Sequence, residues 1–238
     1  MLTIVPTPIG NLRDITMRAL DVLREADFIA CEDTRHTLKL LSYYEIPTMK
    51  DGVPRLLSFH EHSGAGQLEK ILDRLAEGKS AALVSDGGMP VVSDPGFDLL
   101  AAARERGIPV EILPGPSSVL TALVASGLAV HAFSFYGFLP PKSAARKKIL
   151  GKLEAREETL IFFESPHRLV KSLEEMAEVL GDREAAVCRE MTKKFEETAR
   201  GRLSEVLEHF KKKSILGEIV IVVQGKNQKA LLARGRKE

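Results

Sequence analysis

Along the first half of the chain, two kinds of apolar segment alternate. Short continuous apolar runs at residues 2–6, 28–31, 55–59, 81–84 and 110–113 read as strands. Between them, residues 15–25, 34–44, 68–75 and 97–106 carry apolar side chains at helical spacing, as in Met17, Leu20 and Leu23 or Leu68, Ile71, Leu72 and Leu75. Thr34 stands where a helix N-cap belongs. Strand–helix alternation of this kind predicts an α/β fold with a mainly parallel sheet covered on both faces. The second half predicts strands at 133–136, 159–163, 185–188 and 219–223, helices at 144–154, 169–180 and 203–211, and a further short strand at 198–202. Leu113-Pro-Gly-Pro116 ends the first alternation and predicts a domain boundary within residues 115–130. No internal repeat and no low-complexity tract interrupts the pattern.

The 238 residues leave room for one large or two small α/β domains. At 44% hydrophobic and 28% charged, the chain has the composition of a globular protein rather than a disordered one. Lys plus Arg number 34 against 33 Asp plus Glu, which excludes the strong overall positive field that sequence-blind nucleic-acid binding requires. Local patches remain: Lys226, Lys229, Arg234, Arg236 and Lys237 at the end of the chain, residues 146–152, and residues 211–213. Each fits a solvated surface as well as a contact surface. With 5% aromatic residues and no Trp, extensive base stacking is not expected. Cys31 and Cys188 lie far apart, without CxxC or Cys/His spacing, so a reducing, cytoplasmic setting is expected. No apolar run approaches the roughly 20 residues of a membrane span, and no leader peptide is expected at the start.

Three Gly/Pro-rich segments follow predicted strands: Pro6-Thr-Pro-Ile-Gly-Asn11, residues 85–96 (Ser-Asp-Gly-Gly-Met-Pro-Val-Val-Ser-Asp-Pro-Gly), and Pro114-Gly-Pro-Ser-Ser118. Ligands of open α/β sheets bind at strand carboxyl ends, and Gly and Pro there bring bare main-chain groups close to a ligand. Three such loops on one sheet edge predict a small-molecule cleft. No GxGxxG follows a strand and no GxxxxGK[ST] is present, which disfavours a dinucleotide site and a P-loop.

These loops, together with Glu32-Asp-Thr-Arg-His-Thr37, Ser58-Phe-His-Glu-His62, Glu164-Ser-Pro-His-Arg168 and Arg189-Glu-Met-Thr-Lys-Lys-Phe-Glu-Glu197, resemble the ribosomal RNA small subunit methyltransferase I family of the tetrapyrrole methylase superfamily. The resemblance runs in order to about Gly225. It implies two α/β domains of tetrapyrrole methylase type, residues 1–117 with a mainly parallel sheet and residues 118–225 with a mixed sheet, a cofactor cleft between them, and a basic tail at 226–238. It also implies a homodimer, the cofactor S-adenosyl-L-methionine, and 2′-O-methylation of a cytidine ribose at the decoding centre of 16S rRNA in the assembling small ribosomal subunit. The implied cofactor contacts are Pro8, Asp86, Gly88, Met89, Val92, Ser117 and Ser118. One departure is visible: the family's second loop usually reads Asp-Ala-Gly-Thr-Pro, and here it is Asp86-Gly-Gly-Met-Pro90.

Main-chain carbonyls of a glycine-rich turn suit the cofactor's ammonium group, and a carboxylate such as Asp86 or Asp94 suits its positive charges. Asp94-Pro-Gly is read first as turn and helix-start chemistry. Ser117 and Ser118 stand at a helix start and fit capping or ligand contact. A ribose 2′-hydroxyl is a poor nucleophile at neutral pH, so a general base or a cation is sought. Glu164, His60 and Asp33 are the catalytic candidates; Glu32, Glu61 and His62 belong to the same pool. Arg35, His36, Arg168, Lys193 and Lys194 are the RNA-binding candidates. The His60/His62 pair has ligand-like spacing without an evident third ligand, so no metal is expected. Two alternatives share the fold: a methyltransferase acting on a tetrapyrrole ring carbon, and a non-catalytic ribosome-assembly factor.

Overall fold

A computed structural model describes residues 1–60 and 63–226. Glu61, His62 and the tail cations Lys229, Arg234, Arg236 and Lys237 lie outside the described residues. The chain divides into two compact units, Met1–Ser117 and Ser118–Glu238.

The first unit runs β1 (Leu2–Ile4), α1 (Met17–Glu25), β2 (Phe28–Cys31), α2 (Thr34–Tyr43), β3 (Met49–Lys50), β4 (Val53–Pro54), β5 (Leu56–Ser58), α3 (Ala65–Ala76), β6 (Ala81–Val84), α4 (Phe97–Glu105) and β7 (Val110–Ile112). Five strands form a wholly parallel sheet in the order β5-β2-β6-β1-β7. The apolar runs are continuous because both faces are covered. Leu2, Ile4, Phe28, Ala30, Ala81 and Leu83 point to the side packed by Ile71, Leu72 and Leu75 of α3 and Leu99 and Ala103 of α4. The alternate residues Ile29, Cys31, Ala82 and Val84 meet Ala19, Leu20 and Leu23 of α1 and Leu40 and Leu41 of α2. Each fully buried Leu or Ile in these layers contributes about 1.5–3 kcal/mol.

Two local devices shape this unit. Asp33, not Thr34, caps α2: its carboxylate accepts the Arg35 N–H at 2.8 Å. The predicted run at 55–59 begins with a buried arginine rather than an apolar residue. The Arg55 guanidinium donates to the carbonyls of Leu23 at 2.6 Å, Ala26 at 2.6 Å and Pro47 at 2.6 Å, which satisfies the open end of α1. The antiparallel pair β3–β4, too short for a periodicity to show, precedes it.

The second unit runs α5 (Ser118–Ser126), β8 (Phe133–Phe138), α6 (Ser143–Leu153), β9 (Thr159–Glu164), α7 (Leu169–Leu180), β10 (Glu184–Arg189), β11 (Glu197–Arg202), α8 (Leu203–Lys211) and β12 (Ile219–Val223). Its sheet, in the order β11-β10-β12-β9-β8, is mixed: only β8 and β9 are parallel. Leu150 and Leu153 of α6, Leu169, Leu173 and Met176 of α7, and Leu203, Val206 and Phe210 of α8 close one face over Leu160, Phe162, Val187, Ile221 and Val223. α5 lies against β10, β11 and β12. Among the described residues, no helix is long and apolar enough to cross a membrane.

Candidate functional site

The site is built at the carboxyl edge of the parallel sheet. β1 and β6 are neighbours, so the segments that leave them start side by side. Thr7 N–H donates to the Gly88 carbonyl at 3.0 Å and Gly88 N–H to the Thr7 carbonyl at 2.9 Å, and the Thr7 hydroxyl donates to the Ser85 carbonyl at 3.0 Å. These bonds join the first and second loops. The third packs on the first: a Cβ added at Gly115 would lie 2.7 Å from Pro6 Cβ. A Cβ at Gly88 would reach 3.9 Å from the Pro116 carbonyl oxygen. The three loops expected to converge do so within the first unit. Their approach depends on missing side chains, which is the reason for the glycines.

The second loop is bent through uncommon backbone. Gly88 has φ +91, but Val91 (φ +75) and Ser93 (φ +64) also occupy the left-handed region. A β-branched residue there is a costly arrangement that sites retain. Ser85 Oγ in the same loop is buried without a hydrogen-bond partner. An unsatisfied buried hydroxyl at a strand end is a polar atom left for a ligand.

The rim of this cradle is acidic. Asp94 is pushed up to about 6, chiefly by burial and then by the charges of Glu32 and Asp86. The Ser85 hydroxyl opposes that rise in part, without closing a hydrogen bond of ordinary geometry. Asp94 does not start α4, whose N-cap is Gly96 with no side-chain cap bond. The helix-start part of the Asp94 reading is therefore corrected: Asp94 lies in the bend before α4 as a half-buried carboxyl near two others. The missed signal is its place in the loop's burial pattern, which residue order does not show. Asp86 accepts the Asp33 N–H at 3.3 Å and lies 3.2 Å from His36 Nδ1.

Asp33, His36 and Asp86 bring ligand-type atoms within 4.8 Å of one another. Asp33, however, is already held by the Arg35 guanidinium at 2.6 Å and by the α2 amide. Hydrogen bonding from Arg35 keeps Asp33 well below the ordinary carboxylate range. A carboxylate so stabilised is a weak base, and a coordinating ion would have to displace the guanidinium. The geometry makes Asp33 a cap and ion-pair partner rather than a general base. Arg35 and His36 are exposed, yet both are turned to carboxylates.

Glu164 also lies in a network of its own turn. It is 3% exposed. Its oxygens accept the Ser165 N–H at 2.8 Å and the Ser172 hydroxyl, and they lie 3.1 and 3.3 Å from the Arg168 guanidinium. Three hydrogen bonds and an ion pair fasten it to the turn ahead of α7. Arg168 donates inward to the Leu139 carbonyl at 2.6 Å. Lys193 sits between Glu190 at 2.9 Å and Glu218 at 3.0 Å. Lys194 Nζ lies 5.6 Å from the ring of Phe195 and has no carboxylate partner among the described residues.

Of the remaining residues, His60 is exposed in a turn closed by Ser63. Pro8 is buried in the first loop, and Gly87 and Gly88 stack on that loop. Met89 packs partly into the α3–α4 core, while Val92 is exposed. Ser117 ends the first unit and Ser118 opens α5.

Comparison with known proteins agrees with this architecture. The sequence profile of Tetrapyrrole (Corrin/Porphyrin) Methylases matches residues 1–207. "Ribosomal RNA small subunit methyltransferase I" of Bacillus subtilis (strain 168) is 49% identical over 227 residues, covering 95% of this chain and 76% of that protein. The protein of the same name from Thermotoga maritima is 48% identical over 225 residues, covering 94% of this chain and 98% of that one. Among solved structures, uroporphyrin-III C-methyltransferase from Thermus thermophilus complexed with S-adenyl homocysteine superposes with a TM-score of 0.61 at 20% identity, covering 93% and 96% of the two chains. The chain belongs to the tetrapyrrole methylase family and, within it, to the ribosomal RNA small subunit methyltransferase I proteins.

Proposed function

We propose that this protein is an S-adenosylmethionine-dependent methyltransferase that modifies the 2′-hydroxyl of a cytidine ribose in the decoding centre of 16S rRNA, acting as a cytoplasmic homodimer on the assembling small subunit. The observation that carries the reading is the cradle of three backbone-rich loops beneath the carboxyls of Glu32, Asp86 and Asp94. It fits a cationic, amino-acid-bearing cofactor: the buried Ser85 hydroxyl beside Asp94 and main-chain groups supply hydrogen bonds, and the acidic rim supplies a negative field. The names of the Bacillus and Thermotoga relatives support ribosomal RNA as substrate, and the ligand of the Thermus structure supports the cofactor.

When bound, S-adenosylmethionine supplies an electrophilic methyl group. The chain's own contribution is positioning and exclusion of water. Pro8, Asp86, Gly88, Met89 and Val92, with Ser117 and Ser118, would hold the cofactor. Asp94, ionised above about pH 6 at a cost, would be relieved as a cation enters, because a nearby positive charge favours the charged carboxylate. With Glu164 and Asp33 both engaged, acceleration falls mainly to alignment of the reacting oxygen and desolvation.

The test is methyl transfer from labelled S-adenosylmethionine to small subunits that lack the modification, followed by nucleoside mass mapping. The expected product is one 2′-O-methylcytidine per subunit. Label on a tetrapyrrole but not on RNA, or cofactor binding without transfer, would replace this reading.

A further inference from the structure

Resting on the RNA substrate just proposed, we infer that the solvent side of α6, carrying Lys148 and Lys152 with Lys142 at its N-cap, is the surface that docks the ribosomal RNA sugar–phosphate backbone.

The helix reads Ser-Ala-Ala-Arg-Lys-Lys-Ile-Leu-Gly-Lys-Leu and contains no acid. Its cations divide by direction. Arg146 is buried and ion-paired to Glu175 at 2.6 Å, with the carbonyls of Pro140 and Pro141 as further acceptors. Lys147 is paired with Glu178 at 2.6 Å. Lys142, Lys148 and Lys152 are exposed and, among the described residues, have no carboxylate partner. Lys148 and Lys152 are four apart and share one face. Ala145, three before Lys148 on that face, is exposed and too short to screen it. Lys142 extends the cationic side to the start of the helix, so the three charges span about 15 Å of helix axis.

The acids paired to α6 come from α7, and its other acid is committed elsewhere. Glu175 and Glu178 hold the inward cations, and Glu174 lies toward Lys171 and Lys211. Glu154, just past the helix, is paired with Lys226. Cations that no acid neutralises keep their counterions and release them to a polyanion, which is the main sequence-independent source of RNA affinity. Around β10 and α8 most cations are different in kind, although Lys194 and Lys212 also have no carboxylate partner among the described residues. Arg189, His209 and Lys213 converge on Glu197, and Lys193 is clasped by Glu190 and Glu218. Those charges are spent inside the protein. An acid-free helix with its inward cations matched and its outward ones unmatched therefore marks α6. A chain of phosphates is the partner of opposite charge and sufficient length.

The test compares the full-length enzyme with the triple variant K142Q/K148Q/K152Q. A control, K70Q/K79Q/R104Q, removes the same charge from exposed positions of the first unit that lie near Glu69, Glu77 and Glu105 in sequence. Affinity for small subunits lacking the methyl group is measured across a series of KCl concentrations, and S-adenosylmethionine affinity by calorimetry. The α6 variant is expected to bind subunits about 10- to 100-fold more weakly near 0.1 M salt, with the log–log salt slope shallower by about 2–3. Its cofactor affinity and the control's subunit affinity are expected to stay within about twofold of wild type. Unchanged affinity and slope in the α6 variant overturn the inference. So does an equal loss in the control, which would make the effect one of net charge, or a matching loss of cofactor affinity, which would make it one of folding. If the wild-type enzyme methylates no small-subunit RNA, the functional reading falls and takes this inference with it. If it methylates while the α6 variant binds normally, only the α6 surface falls.

Discussion

Two strand-end turns, each with a proline and an acid, have opposite fates. The turn after β9 is tied within itself: Glu164 receives Ser165 and Ser172 and is ion-paired with Arg168, whose guanidinium also reaches the Leu139 carbonyl although its buried Nε closes no hydrogen bond. The loop after β6 is unfinished: Ser85 Oγ is buried without a partner, Asp94 is forced up by burial and by neighbouring acids, and Val91 and Ser93 hold left-handed backbone. A carboxylate held by neighbours of its own turn acts as architecture, whereas strained backbone beside a carboxyl raised by burial and by other acids is the arrangement functional sites retain. By residue type alone the Glu164 segment looked the more catalytic. Connectivity, not composition, separates the two.

The largest effect expected from this contrast is on stability. Glu164→Ala leaves the Arg168 guanidinium without its carboxylate and should cost about 3–5 kcal/mol of unfolding free energy, read by thermal or urea melts. Affinity for S-adenosylmethionine at moderate temperature should hardly move. If melting is unchanged while methyl transfer is lost, Glu164 is catalytic and the contrast collapses. Next in size is Gly115→Ala. Its Cβ would stand 2.7 Å from Pro6 Cβ and 3.0 Å from Pro6 Cγ, so the third loop must back away. Overpacking of this kind costs about 1–3 kcal/mol. Because it falls on the cradle, calorimetry should show tenfold or greater loss of cofactor affinity. Normal binding would mean that the three loops need not touch.

What the sequence made legible follows from what repeats. Strands β1, β2 and β6 were readable because both faces bury apolar residues, and α7 and α8 because one face does. The convergence of the three loops followed from strand order in a parallel sheet. α5 had no period to read: Val119, Leu120, Ala122, Leu123 and Val124 make it apolar nearly all round. Asp33 and Thr34 are both good caps, and only the bond to Arg35 N–H chooses between them. The site's side chains were the least legible. Whether Lys193 is free or clasped, and whether Asp94 is capping or buried, depends on partners distant in sequence such as Glu218 and Glu32.

A pH experiment sharpens the contrast from the unfinished side. Asp94 ionises near 3.8 when unfolded and near 6 when folded. Between those values the folded chain holds more protons, so its stability falls as pH rises through the window from about 4 to 6, and the penalty is complete above it. A rise of that size corresponds to about 3 kcal/mol for a fully enclosed group, and partial exposure reduces this to about 1–2 kcal/mol. Asp94→Asn has no proton to lose. It should melt higher than wild type at pH 7.5, match it near pH 3.5, and bind S-adenosylmethionine less well. A variant no more stable at pH 7.5 would show that the β6 loop is as relaxed as the Glu164 turn.

The smallest effect is expected from Gly87→Ala, which restores the alanine usual in the family's second loop. Gly87 is not among the left-handed residues, so its backbone accepts a side chain, unlike Gly88 at φ +91. The new Cβ would lie 3.3 Å from the Pro8 carbonyl oxygen and 3.6 Å from Ile9 Cα. That is a tight contact, relieved if the first loop yields by a few tenths of an ångström. Alanine also narrows the unfolded ensemble, which favours folding by about 0.4–1 kcal/mol. The two effects oppose each other, so stability should stay within about 0.5 kcal/mol of wild type. The informative reading is cofactor affinity, because Pro8 is the residue that must move. A change of no more than about threefold would mean that the first loop is compliant and that binding energy resides mainly in the second loop and its acidic rim. A loss of tenfold or more at unchanged stability would mean that the Pro8 carbonyl is held rigidly where the ligand needs it, and would shift the centre of the site from the acids that follow β2 and β6 to the main chain after β1.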